Sequence, residues 1–584
     1  MNIPWNIRGS ASQFFFQDTS SFQYQALLAI TDLPHPDRSI LGAFLEGAVD
    51  PEEGARYFLQ TTRTRDGSGA PKEAMSQFVS QWLSLVGKFR PILATSLSED
   101  TKKLVYDRDG GCCCVTRTPF KSHVDSDLQY VHLVPPDVRA DPDLSAGTYL
   151  FAMLRHFLPN ELIQAVWAPQ HEQRDRLDNI WLLSTQAFHA FQAGEVFLTT
   201  QRWGDHSDTA RKQTYSLKTN WFKPEEHTYL ALLMDEVLIE NRIPQLAPIL
   251  NQQLLGVHAR FSESLAWIDT KKHMIPSPSP ASRSPTGDSC QPIPCGVGSE
   301  SLLSTLASPV ASLCRTLWTA LPSFVRAPIY DILVRIGAHI YGPSLSMTVF
   351  KLPFGLYLRR GATSLTPKYH AEAHTLRIVE RYTSIPAPRA IDVLETSRHA
   401  YMLMTCVPGR PIGLVLDIMT DDQLKQAVHD LKRYVAELRQ IPPSPTEYQI
   451  CNSQGDGVLD WRIPDSSREQ LRFKTEADFN KYLTDPFWAD IRTRAAKSHG
   501  IPHDIVFTHG DLNPRNILAE NGRITGIVDW ENAGWFPEYW EYTKAHYTVR
   551  SLKRWLADVV DVVFEGYREE LWVENMLSDL LGPF

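Results

Sequence analysis

From Thr420 to Ile441 the chain reads TDDQLKQAVHDLKRYVAELRQI, and its apolar residues Leu424, Val428, Leu431, Val435 and Leu438 recur every third or fourth position. That spacing winds onto one face of an amphipathic helix. Upstream, SMTVFKLPFGLYLRRG has apolar runs on both sides of Pro353–Gly355 and predicts two strands joined by a tight turn. YHAEAHTLRIVERYTS returns to helical spacing at Ala373, Leu376 and Val379, and HAYMLMTCVPGRPI is an apolar strand ending at Pro408–Gly409. Further on, DIVFTHGDLNPRNILAENGRITGIVDWENAGWF reads as strand, polar loop, short strand, Asn521–Gly522 turn, strand and acidic loop. Strands first and helices after predict a small sheet-bearing lobe feeding a larger helical lobe. The N-terminal part is helical in pattern around Lys72–Val86 and Pro224–Ile239. Between them lies a less regular stretch, RDGGCCCVTRTPFKSHVDSDLQYVHLVPP, with room for a short hairpin. The fold class is α+β and multidomain.

The pattern vanishes over IPSPSPASRSPTGDSCQPIPCGVGSES, Ile275–Ser301, where Pro, Ser and Gly dominate. Such a stretch cannot bury enough apolar surface to offset the entropy of ordering. It predicts a linker at 271–301 between an N-terminal domain at 1–270 and a C-terminal domain at 302–584. A chain of 584 residues exceeds one ordinary domain in any case. Net charge changes the picture on partners: at −9 it argues against a general nucleic-acid binder, which would carry excess Lys and Arg. The eight cysteines include the run Cys112–Cys114 and form no C-x-x-C pair, which points to reduced thiols and a cytoplasmic protein. MNIPWNIRGSASQFFF lacks the charged start and apolar run of a signal peptide. In SLLSTLASPVASLCRTLWTALPSFV, Pro309, Arg315 and Pro322 interrupt the apolar run, so amphipathic helices are expected and no transmembrane segment.

Candidate chemistry centres on THGDLNPRN and, one hairpin later, IVDWE. Alone, Asp511 and Asn516 are ordinary turn residues. Folded back across Asn521–Gly522, the chain brings Asp529 towards Asn516. Phosphoryl transfer needs a carboxylate to take the proton of the attacking hydroxyl, oxygen ligands for Mg²⁺ and a cation on the phosphates. Asp511 is suited to the first task, and Asn516 with Asp529 to the second.

HGDLNPRN followed by IVDWE resembles the aminoglycoside phosphotransferase family, relatives of the protein kinases, in the flavour common among filamentous fungi. The resemblance covers about residues 335–570. It implies a two-lobed protein-kinase-like fold and an ATP- and Mg²⁺-dependent transfer of phosphate to a hydroxyl of a small molecule. Asp511 matches the catalytic base, Asn516 and Asp529 the metal ligands, and His509 the residue that organises the loop. On the nucleotide side Arg359 stands where the family usually has lysine, with Glu372 matching its helix glutamate. The adenine would dock after Met404, around Thr405 to Val407. Arginine is a planar fork and lysine a point charge, so the replacement opens a second reading: a nucleotide-binding pseudokinase without efficient transfer. Lys351, on the preceding strand, is either a substitute cation or a solvated residue. Trp535, Phe536, Tyr539, Trp540 and Tyr542 either wall a site for a cationic amine or pack helices.

DRDGGCCCVTRTPF, YVHLVPP and LDNIWLLSTQAFHAF together resemble an HNH nuclease-like domain over about residues 104–200, a ββα unit with flanking helices. His132 matches its general-base histidine, Asn179 its central asparagine and His189 its distal metal histidine, implying a divalent metal and a nuclease alternative. Val131 departs from the Asp or His often found before the base. Residues 101–204 hold ten Lys and Arg against twelve Asp and Glu, which does not favour nucleic acid.

Overall fold

The computed structural model describes residues 20–62, 72–168, 177–200, 211–220, 236–274, 315–342, 344, 346–444, 446–463, 470–484, 489–549 and 552–581. The Pro/Ser-rich stretch expected as a linker lies almost wholly outside them, as do residues 301–314 of the apolar run that follows. The chain divides into two compact units. One runs through Phe16–Ile275 and takes in Leu414–Asp421; the other runs through Pro276–Gly413 and Asp422–Phe584. Among the described residues no helix is long and apolar enough to cross a membrane.

In the first unit the helices α1 (Asp37–Gly47) and α2 (Lys72–Lys88) precede strand β1 (Ile92–Leu93), and α3 (Glu99–Arg108) precedes β2 (Leu128–His132). Then come β3 (Ile180–Ser184), α4 (Thr185–Gln192), β4 (Val196–Thr200), β5 (Lys212–Thr219), β6 (Glu236–Glu240) and α5 (Gln252–His273). α2 follows its predicted periodicity and buries Met75, Phe78, Val79, Trp82, Leu85 and Val86. Trp82 is fully buried among the rings of Phe44 and Phe157, with centroids at 4.9 and 4.6 Å. β2 lies between β1 and β3 with antiparallel pairing on both sides. The hairpin expected around the cysteines is reduced to one antiparallel bridge, Cys112 to Pro119.

One prediction is corrected here. The helix expected over Pro224–Ile239 falls outside the described residues up to 235, and its C-terminal end belongs to a strand, β6. Val237 and Ile239 are buried while Leu238 is 48% exposed. That alternation is the period of two of a strand edge-paired to β5, and it outweighs helical propensity.

The second unit opens with α6 (Ser323–Tyr341), then β7 (Val349–Leu352) and β8 (Leu356–Gly361). α7 (Thr366–Tyr382), β9 (Ala390–Glu395), β10 (Ala400–Thr405), β11 (Arg410–Pro411) and α8 (Asp421–Arg439) follow. The antiparallel sheet runs β7-β8-β10-β9. Its β7–β8 turn holds Phe354 and Gly355 at φ 68°, the left-handed geometry that matches strand twist in a tight hairpin. Leu352, Leu358, Leu394, Tyr401 and Leu403 form the core of this sheet with Tyr330 of α6. α6 approaches so closely that a Cβ on Gly337 would stand 2.1 Å from the Lys351 carbonyl. α8 buries Leu424, Val428, Leu431, Val435 and Leu438, as its spacing predicts.

The remainder is helical with two small sheets. Its strands are β12 (Cys451–Asn452), β13 (Ile505–Thr508), β14 (Ile517–Glu520), β15 (Arg523–Ile527) and β16 (Gly534–Pro537). α9 (Trp540–Thr548) and α10 (Arg568–Leu581) follow. One sheet is β11-β14-β15 and the other β12-β16-β13.

In the first unit His258 is buried on α5, and its Nε2 meets the Phe191 carbonyl at 2.7 Å while Nδ1 has no partner. That pairing needs a proton on Nε2, the buried Nδ1 without a partner fits the neutral ring, and burial lowers the pKa from 6.5 to about 3. The unfolded chain therefore takes up a proton below pH 6.5 that the native chain refuses, and stability falls as pH drops towards 3. Full-length protein unfolded by denaturant across this window should lose up to about 1.4 kcal/mol per pH unit from this group. His258→Gln keeps a donor for Phe191 and should show a correspondingly flatter pH profile.

Candidate active site

β13 delivers the chain to the polar loop. Thr508, its last residue, pairs with Gly534 of β16, and a Cβ on Gly534 would lie 2.4 Å from the Cys451 carbonyl, so the strands close up only around glycine. Gly510, at φ 75°, turns the chain where a side chain would strike the Asn532 carbonyl. The loop backbone then meets Glu541 of α9. This buried carboxylate accepts N–H bonds from His509 (2.6 Å), Gly510 (3.1 Å) and Leu512 (3.3 Å). Burial raises the pKa of Glu541, opposed by His509 and these backbone donors. His509 is fully buried; its Nε2 meets the Val528 carbonyl at 3.0 Å, and its Nδ1 accepts from the Asp511 N–H at 3.1 Å. This network assigns the neutral Nε2–H tautomer, in keeping with a pKa lowered by burial. His509 thus ties the loop to the strand that ends at Asp529.

Asn516 folds back over the start of the loop. Its amide donates to the Asp511 carbonyl at 3.0 Å and to Asp511 Oδ2 at 2.9 Å. Asp511 Oδ1 is buried and has no hydrogen bond of good geometry. Burial raises the Asp511 pKa; the side chains of Asn513 and Asn516 and the charge of Lys544 oppose that rise. The hairpin register pairs Ile517 with Ile527, and the Val528 N–H donates to the Asn516 carbonyl at 2.9 Å, so Asp529 follows directly beside Asn516. Asp529 itself is left-handed, φ 66° and ψ 62°, a conformation that costs a non-glycine residue about 1–3 kcal/mol and recurs at functional sites.

Arg359, on β8, points at this carboxylate. Its Nη2 donates to Asp529 Oδ1 at 2.5 Å, and its Nη1 lies 2.8 Å from Glu531 and 3.0 Å from Glu372 of α7. The Glu372 oxygen is near enough for charge pairing but is not aligned for a hydrogen bond. Lys368 holds the other oxygen of Glu531 at 2.7 Å. Burial, with Asp529 and Glu531 nearby, raises the Glu372 pKa to about 7 against the pull of Arg359. Lys351 is a surface strand residue with its ammonium over the Tyr341 ring. At the expected adenine segment, the Thr405 N–H is bonded to the Arg389 carbonyl and the Cys406 N–H to Gly355. Val407 packs against Gly526 of β15, where a Cβ would stand 3.0 Å from its Cγ1.

The aromatic run does not form a wall. Trp535, Phe536, Tyr539, Trp540 and Tyr542 are at most 3% exposed, so the reading as a site for a cationic amine gives way to packing. Trp540 donates to Asp460 at 2.9 Å and carries the Arg462 guanidinium 3.8 Å above its ring. Beneath the loop lies a buried charge cluster that no local pattern announces as a whole: Lys544 to Asp460 at 2.6 Å and Arg462 to Glu574 at 3.4 Å. Glu541 and Lys544 lie one helical turn apart in that same run; the signal was a pair of charges at i and i+3 within an apolar helix.

In the first unit, Asn179 is buried and clamps the strand end, accepting from the Val134 N–H at 3.0 Å and donating to the Val134 carbonyl at 2.7 Å. His132, the last residue of β2, lines a cavity of about 630 Å³ with Asn179, and its Nδ1 is buried without a partner. His189 sits on the exposed face of α4, outside that lining. Among the described residues no three His, Cys, Asp or Glu side chains gather as a metal site. Cys112, Cys113 and Cys114 are free, as are Cys406 and Cys451.

Residues 354–572 match the APH family model, a phosphotransferase enzyme family. Aminoglycoside 3'-phosphotransferases of Escherichia coli and Salmonella typhimurium are each 23% identical over 184 residues. The match takes in 31% of this chain and 63% of each relative, so the chain spans less than two thirds of their length. The structure of aminoglycoside phosphotransferase APH(3'')-Id from Streptomyces rimosus is 17% identical, with 43% of this chain and 98% of that chain covered and a TM-score of 0.29. Its complex with ADP and streptomycin gives the same identity and TM-score, with 97% of that chain covered. The Asp511 loop, Asp529 and Arg359 all fall inside the matched span.

Proposed function

We propose that this domain transfers the γ-phosphoryl group of ATP to a hydroxyl of a small molecule. The observation that carries the proposal is the state of Asp511: one carboxylate oxygen held by Asn516, the other buried with the Asn513 side chain near but no hydrogen bond of good geometry. A buried acceptor that is poorly satisfied costs free energy, and an incoming hydroxyl would complete it. Oδ1 of Asp511 receives the hydroxyl proton as the acceptor oxygen bonds to the γ-phosphorus, and the bond to the β–γ bridging oxygen breaks to release ADP. Asn516 keeps Oδ2 engaged, so the proton has one destination. His509 and Glu541 hold the loop without touching the reacting atoms. Asn516 and Asp529 would hold a magnesium ion: both supply oxygen, the donor a hard cation prefers, and they leave the hairpin side by side. Such an ion, when bound, supplies neutralisation of phosphate charge. Arg359, backed by Glu372, faces the phosphates.

A second reading, nucleotide binding without efficient transfer, draws support from one contact: Arg359 occupies one of the two Asp529 carboxylate oxygens. Thermal unfolding at saturating ATP, with and without Mg²⁺, separates the cases. A shift without turnover supports this reading, and no shift at all rejects both.

Turnover of ATP against a panel of amino alcohols and aminoglycosides should fall by about 10²–10⁴-fold in Asp511→Ala; unchanged turnover would sink the mechanism. Because Asp511 must be ionised and burial raises its pKa, the acid limb of the kcat profile should lie above the ordinary aspartate value of 3.8. Glu541→Gln turns an amide N–H towards the loop donors. It should displace Asp511 and lower kcat by about 10²-fold, together with a lower melting temperature.

A further inference from the structure

Arg359 uses its two terminal nitrogens differently. Nη1 faces Glu372 and Glu531, whose side chains are 2% and 11% exposed. Nη2 faces Asp529, whose side chain is 35% exposed. Glu531 is in turn fixed through its second oxygen by Lys368. One end of the fork is therefore anchored in the interior by two carboxylates, and the other rests on the single carboxylate that a ligand can reach. A lysine ammonium would meet all its partners through one nitrogen, so its contacts move together. Arginine can release one end while the other stays bound.

We propose that Glu531 anchors Arg359 as a hand-over device, in which Nη2 exchanges Asp529 Oδ1 for a nucleotide phosphate oxygen while Nη1 stays on Glu372 and Glu531. The inference rests on the phosphoryl-transfer reading above and adds a role for Glu531, along with a reason why arginine serves at this position. No covalent bond changes; two ion pairs replace one. A nucleotide arriving alone must break the Arg359–Asp529 pair and leave Asp529 without its cation. A divalent cation arriving alone leaves Arg359 Nη2 without its carboxylate. Arriving together they satisfy both groups, so their affinities are coupled, and the coupling is reciprocal. Lys368 stays on Glu531 throughout, so the anchor does not follow the moving end.

The test is ADP binding to the full-length chain by calorimetry, with Mg²⁺ absent and saturating. Wild type should bind ADP more tightly with Mg²⁺. Asp529→Asn removes the charge that competes for Nη2, so magnesium-free ADP should bind more tightly than to wild type, within the roughly 5–150-fold range of such couplings. The benefit of Mg²⁺ should vanish in the same variant. Loss of the Asp529 charge by itself also favours an anionic ligand, so the same substitution is measured in an Arg359→Gln background: the hand-over requires the gain to shrink there, and a gain that persists in full overturns it. Glu531→Gln loosens the anchor and should weaken metal-free ADP binding; Asp529→Ser is the second variant if Asp529→Asn does not fold. Metal-free affinity in the Asp529 variants equal to or below wild type overturns the hand-over while leaving phosphoryl transfer standing. Wild type that binds ADP under neither condition removes both.

Discussion

A carboxylate buried under a loop needs donors, and a loop bent around Gly510 has backbone N–H groups that need an acceptor. Glu541 meets both needs at once, taking the N–H groups of His509, Gly510 and Leu512. Either partner alone would cost several kcal/mol in the interior; together they make a rigid joint. Everything proposed for Asp511 depends on that joint. Asn516 reaches Asp511 only because the loop is closed, and the hairpin that presents Asp529 is laced to the same loop through His509 and Val528.

The charges around Asp529 are arranged on a different principle. Arg359 and Lys368 face Glu372, Asp529 and Glu531, so this half of the site has one more carboxylate than it has cations. Beside burial, the larger cause, this excess of carboxylate helps raise the pKa of Glu372 to about 7. It also leaves the site short of positive charge, which is the condition under which a cation is welcome. The strained backbone of Asp529 belongs to the same arrangement, since it is held in place by β15 on one side and by Arg359 on the other.

Much of the second unit was legible in its sequence because its signals are local. The α8 face, the β7–β8 turn and the Asn521–Gly522 hairpin each follow from residues a few positions apart. The register of β14 on β15 then brings Asn516 to Asp529 with no further information. The Arg359–Glu372 pair was legible only through the family resemblance, since nothing local links a strand residue to one on the next helix. Two points were not decided by local pattern. Trp535, Phe536, Tyr539, Trp540 and Tyr542 are aromatic whether they face a ligand or the core, and their burial is a property of the packed structure. At Glu236–Glu240, pairing with β5 chose strand over helix.

The sequence by itself determined which residues could perform the chemistry and that a two-residue turn would bring two of them together. Only the tertiary structure decided what supports them. Glu541 lies 32 residues from the His509 N–H it accepts from, Asp460 80 residues from the Trp540 it pairs with, and Glu531 172 from Arg359. No periodicity links positions so far apart; they meet because packing of the whole chain carries them into one interior, where a buried charge is tolerated only when paired.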